Sequence, residues 1–138
     1  MSILEAVRDY LRTIPGLENL SLEDLGPSPG DACLQPLGLE PVIRTYLCGA
    51  TRRQEQLRLL VRRGLGSLEE GRGADHRFLW DLALTLEKRT RAGDLPELGP
   101  GRRALRLEAQ ETPAPVLLQE DGLLVDQLPL RITYLLEG

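Results

Sequence analysis

From Leu128 to Leu136 every second residue is large and apolar. Leu128, Leu130, Ile132, Tyr134 and Leu136 share one parity, and Arg131, Thr133 and Glu137 share the other. A period of two puts the apolar set on one side of an extended strand. Whatever else this chain forms, it contains a sheet with one buried face. Pro129 falls among the outward residues and brings no N–H to a ladder, which predicts an edge position or a bulge for this strand.

The rest of the chain supplies partners for that strand. Residues 3–14 read as a helix, with Ile3, Val7, Leu11 and Ile14 on one stripe, Ser2 as N-cap, Glu5 at the capping-box spacing and Pro15-Gly16 as the stop. The GPSPGD run (Gly26 to Asp31) is a loop by composition. Two short β-rich runs, ACLQPL and VIRTYLCG, flank a Gly-Leu-Glu-Pro turn and predict a hairpin. In the second run Val42, Arg44, Tyr46 and Cys48 face one way, and Ile43, Thr45 and Leu47 the other. A helix over 75–92 carries Leu79, Leu82, Ala83 and Leu86 at helical spacing, with Asp75 as cap and Gly93 as terminator. Gly71 and Gly73 leave open whether SLEEGRG adds a separate turn. ALRLEA alternates Leu105, Leu107 and Ala109 against Arg106 and Glu108, and PVLLQEDG reads as a strand entering a turn at Glu120-Asp121-Gly122. The expected order is α-β-β-β-α-β-β-β: one α+β domain over residues 1–138, with two helices packed on a single, mostly antiparallel sheet.

TRRQEQLRLLVRRG, Thr51 to Gly64, is the most charged stretch. Five arginines and one glutamate between Thr51 and Arg63 leave it a net +4. A helix would align Leu57, Leu60 and Val61. A strand aligns Leu57, Leu59 and Val61 against Gln54, Gln56, Arg58 and Arg62, with Leu60 the one misfit, and accounts for more positions. Arg52, Arg53, Arg58, Arg62 and Arg63 are therefore candidates for contacting a subunit or partner. DNA phosphates are the alternative ligand, although no aromatics are interleaved for base stacking and the whole chain carries −4. A membrane-surface helix fits poorly, because its apolar face would be only about three residues wide.

No catalytic, cofactor or metal signature appears. His76 is the sole histidine, with no Ser or Cys partner nearby in sequence. Cys33 and Cys48 lack metal-ligand spacing and read as reduced residues, with a redox pair as the alternative. No run approaches the ~20 apolar residues of a membrane span, and the N-terminus lacks the pattern of a signal peptide. The expectation is a cytosolic chain that is not an enzyme.

The C-terminal half adds a resemblance. TRAGDLPELGPGRRALRLEA follows directly on a helix bearing Trp80 and Leu86-Glu87, and LPLRITYLLEG closes the chain. These features resemble a family of small prophage minor capsid or tail-completion proteins, similar to the tail terminators of long-tailed phages. The likeness extends over most of the chain and is strongest from residue 76 onward. It implies a tail-terminator-like fold and a hexameric ring of identical subunits at the head-proximal end of a tail tube. The ring's partners would be the tail-tube protein and a neck, or head–tail connector, protein. DNA would pass through the lumen without specific binding. The protein would reside in the virion after assembly in the bacterial cytoplasm. A neck role and a small DNA-binding regulator are the alternatives.

Overall fold

A computed structural model of the protein describes residues 2–22, 31–39, 43–62, 68–117 and 124–138. The expected turn at 120–122, the GPSPGD loop apart from Asp31, and Arg63 lie outside the described residues. The elements run α1 (Ile3–Leu11), β1 (Ser21–Leu22), β2 (Ala32–Leu39), β3 (Arg44–Thr45), β4 (Thr51–Arg62), α2 (Leu68–Arg91), β5 (Arg102–Ala109), β6 (Ala114–Leu117) and β7 (Leu124–Leu136). They make an α+β fold in which two helices pack on one mixed, mostly antiparallel sheet.

The long strands β4 and β7 form the middle of the sheet, paired without a break from Thr51↔Leu136 to Arg62↔Val125. The order is β1-β2-β4-β7-β5, with β3 pairing the start of β4 and β6 pairing the start of β7. Among the described residues only the β1–β2 contact is parallel. The expected alternation holds on the helix side. Leu57, Leu59, Val61, Leu128, Leu130, Ile132 and Tyr134 are buried in one cluster with residues from both helices, and each fully buried Leu or Ile side chain contributes about 1.5–3 kcal/mol. The misfit Leu60 has its own place, in a small cluster on the opposite face with Cys33 and Val125.

Both helices keep their expected stripes, except that Ala83 is only half-buried. Ser2 Oγ accepts the Glu5 N–H at 3.0 Å, and the Ser2 hydroxyl in turn donates to the Glu5 carboxylate at 3.1 Å. α1 ends at Leu11, a turn earlier than expected, yet Ile14, Leu17 and Leu20 beyond it remain buried. Gly16 turns this segment at φ +97°, and a Cβ there would come within 2.9 Å of the Phe78 ring, so glycine lets the turn press on α2. α2 begins at Leu68, so Asp75 lies inside the helix and is not its cap, and Gly71 and Gly73 are spanned by it. An interior glycine costs a helix only about 1 kcal/mol, less than tertiary packing can return. At the other end Gly93, at φ +77°, closes the helix as expected. Asp94 N–H reaches Arg89 C=O at 2.8 Å and Gly93 N–H reaches Thr90 C=O at 3.1 Å, the paired bonds of a Schellman terminus.

Four expectations are corrected. Val42 lies outside the described residues, and the run over 43–48 does not pair with ACLQPL. Its strand is only Arg44–Thr45 and pairs with β4, because the tight turn over 46–50, closed by Tyr46 N–H to Ala50 C=O at 2.9 Å, joins it to the following strand. Leu47 therefore sits on a turn and faces no core. A short strand, β1, was not expected; two residues are too few for periodicity to reveal. Leu105 drops out of the alternation, since the register shifts between Ala104 and Arg106 and Ala104 takes the core-side place. Finally, of the two placements expected for the strand carrying Pro129, an edge or a bulge, the edge is wrong: the strand is central, and the irregularity lies in the chain beside it. Pro129 C=O accepts the Gln110 N–H at 2.9 Å. N and C=O of one strand residue point the same way, so the nitrogen without a hydrogen also faces Gln110, away from β4. There the neighbouring chain breaks. Ala109 lies opposite Leu130 and Ala114 opposite Gln127, five steps against three, and the two surplus residues loop out beside the proline.

Candidate interaction face

Pairing register decides which arginines are neighbours. Along β4, Thr51, Arg53 and Glu55 continue the helix-side parity of Leu57, whereas Arg52, Gln54, Gln56, Arg58 and Arg62 lie on the other face. Thr51 is opposite Leu136, and Arg52 is opposite Leu135 on β7 and Arg44 on β3. Leu135 in turn faces Arg103, Thr133 faces Arg106, and Arg131 faces Glu108 on β5. The sheet face turned away from the helices thus carries Arg44, Arg52, Arg58, Arg103, Arg106 and Arg131, drawn from four strands, with Glu108 as the carboxylate among them.

These guanidinium groups are not equivalent. Arg131 meets Glu108 at 2.7 Å, and Arg106 reaches the same carboxylate oxygen at 3.9 Å. Arg58 Nε donates to Gln35 Oε1 at 2.8 Å. Arg44 stacks over the Tyr46 ring, 5.3 Å from its centroid. The Nε of Arg52 is buried and meets no acceptor among the described residues, an arrangement that costs about 1–3 kcal/mol where nothing from outside satisfies it.

Of the five arginines singled out in the sequence, Arg63 lies outside the described residues and the other four are dispersed. Arg52 and Arg58 lie on the open face. Arg62 has that parity but is buried, at 7% exposure, with its backbone N–H bonded to Asp31 C=O at 2.9 Å. Arg53 is on the helix side, donating to Thr51 Oγ1 at 3.0 Å. Arg44, Arg103, Arg106 and Arg131 join the face from strands that were not considered with it. Alternation gave Arg106 and Arg131 their parity, but only register makes them neighbours.

The end of the sheet on the helix side holds a small polar group. Burial raises the pKa of Glu55, opposed in part by the charge of Arg102. Burial also raises Tyr134, with the Glu55 charge adding to the effect and Arg53 and Arg102 opposing it. At the β5 edge of the sheet lies a groove of about 420 Å³ between α2 and the chain from Glu108 to Pro113. Trp80 and Leu84 line it and are 42% and 52% exposed.

Among the described residues no three His, Cys, Asp or Glu side chains are grouped to hold a metal ion, and no helix is long and apolar enough to cross a membrane. Cys33 is buried and Cys48 exposed, and no disulfide joins them. Neither protein-family models nor curated proteins give a match to this chain.

Proposed function

We propose that the protein is a structural component of virion assembly, a tail terminator or tail-completion ring subunit that caps a tail tube and joins it to the neck. The tail role rests on the resemblance of residues 76–138. The assembly role rests on one observation, the arginine-lined sheet face. Its helix-free side gathers six arginines around one glutamate, and one of them has a buried Nε without an acceptor. A partner carrying carboxylates or carbonyls would satisfy that donor and neutralise the face. The test is electron microscopy of the purified chain mixed with tail-tube subunits. Rings seated on tube ends are expected; tubes of uncontrolled length with no bound protein would refute the reading.

The same face favours a second reading, a surface for nucleic-acid phosphates. Here the expected result is binding to duplex DNA of arbitrary sequence, weakening steeply as salt rises. Absence of binding at low salt would remove it.

A further inference from the structure

The open sheet face is not evenly charged once its internal pairs are counted. Toward the end of β5, Glu108 holds Arg131 at 2.7 Å and Arg106 at 3.9 Å, and Arg58 is bonded to Gln35. At the opposite end a single row crosses four strands: Arg44 on β3, Arg52 on β4, Leu135 on β7 and Arg103 on β5. Among the described residues none of these three arginines meets a carboxylate. Glu137, just past β7, carries its carboxylate beside Gly101 and likewise makes no ion pair among the described residues.

Two features of this row each cost the fold stability. Arg44 and Arg52 are direct cross-strand partners, with Cα atoms about 5 Å apart, and like charges so placed repel. The Nε of Arg52 is buried without an acceptor, so its resting rotamer gives up a hydrogen bond. Arg44 lies over the Tyr46 ring, 5.3 Å from its centroid. Stacking holds that guanidinium by its face and leaves its in-plane N–H groups open. Arg103 stands two strands from Arg52, about 10 Å away along the sheet, a gap that two arginine side chains can span above Leu135.

We infer that this end of the sheet face is an oxyanion site for a phosphate dianion, held between Arg44 and Arg52 and closed on a third side by Arg103. Charge and donor count select the ligand. One phosphoryl group brings close to two negative charges and three acceptor oxygens, which neutralises two opposed guanidiniums at once. A carboxylate or a phosphodiester brings one charge and two free oxygens, and leaves the pair half-compensated. Turning the Arg52 guanidinium outward onto the phosphate also takes its Nε from the place where it lacks an acceptor. Free phosphate and the terminal phosphate of a monoester share this chemistry. The site does not depend on the assembly reading: a chain that left tail tubes uncapped would still bind phosphate.

Thermal and calorimetric titrations of the whole chain test it, in mildly alkaline buffer with chloride adjusted to hold ionic strength constant. Inorganic phosphate is expected to raise the melting temperature in a saturable way, and dimethyl phosphate and acetate are not. Phenyl phosphate separates the sources: binding at least as tight as that of inorganic phosphate assigns the site to monoesters, and weaker binding to the free ion. Arg44→Gln and Arg52→Gln should each weaken phosphate binding by about tenfold or more. Arg91→Gln, an equal loss of charge on the exposed side of α2, should bind as the wild type does. Circular dichroism checks that each variant is folded, and in the wild type the amide NMR shifts on adding phosphate should centre on Arg44, Arg52 and Leu135. An equal rise with dimethyl phosphate would overturn the dianion assignment in favour of a nucleic-acid backbone. An equal rise with acetate would overturn it in favour of an acidic protein partner. Phosphate binding that survives both arginine changes, amide shifts that centre elsewhere, or no rise at all would overturn the site itself.

Discussion

At the scale of single residues, Pro129 shows how a central strand tolerates a missing donor. Its nitrogen faces Gln110 across the break between β5 and β6, where the ladder is ending. One position earlier the geometry reverses, because Leu128 presents its N–H to β4. Leu128→Pro should therefore cost about 3 kcal/mol or more, while Pro129→Val should change stability by less than ~1 kcal/mol. Urea denaturation of the two variants measures both, and equal losses would contradict the assignment of facing sides. Glu55 makes a second residue-scale prediction. Burial raises its folded pKa, so in the window just above the ordinary glutamate value of about 4.3 the folded state holds a proton that the unfolded chain has released. Stability from this group is therefore lost as pH rises through that window. Glu55→Gln should be more stable than wild type at neutral pH, and the melting-temperature difference should shrink toward pH 4. A difference that does not vary with pH would show that Glu55 ionises as freely in the fold as outside it.

Among elements, the link between α2 and β5 does most to set the shape of the candidate surfaces. Edge strands expose unpaired backbone groups, and here one helical threonine satisfies both groups of Leu107. Thr90→Val keeps the side-chain volume and removes both bonds. It should cost about 1–3 kcal/mol and speed amide hydrogen exchange at Leu107, read by NMR against Ile132 in the strand interior. This arrangement also marks what the sequence could disclose. Alternation identified the buried faces of β4 and β7, because burial on one side writes a period of two. Capping chemistry identified the ends of α1 and α2 at Ser2 and Gly93. Register wrote no comparable mark. That β3 pairs with β4 and not with β2, that Leu105 is skipped, and that Arg103 lies across from Leu135 depend on turn geometry and on the register shift between Ala104 and Arg106. The arginine face was thus legible in part. Arg52 and Arg58 could be placed on it from the β4 pattern, but Arg44, Arg103, Arg106 and Arg131 meet them only through pairing.

Viewed as a whole molecule, the protein divides its sheet between two tasks. Its helix side holds the apolar cluster that carries stability, and its open side holds charge that contributes little to folding. Variants on the two sides should therefore behave oppositely. Leu59→Ala, at a position with no exposure, should cost about 2–5 kcal/mol. The pair Arg52→Gln and Arg58→Gln removes one hydrogen bond, to Gln35, and relieves the buried Nε of Arg52; its net effect on chemical denaturation should stay within ~1 kcal/mol. Association should respond the other way. If the proposed tail role holds, changing the arginine pair should weaken binding to tail-tube subunits and remove much of its salt dependence, since the screening length falls from about 10 Å at 0.1 M salt to about 3 Å at 1 M. Titration by light scattering at both salt concentrations reads this directly. An arginine variant that unfolds like Leu59→Ala would make the open face part of the stability core. One that binds as the wild type does at every salt concentration would move the partner surface elsewhere.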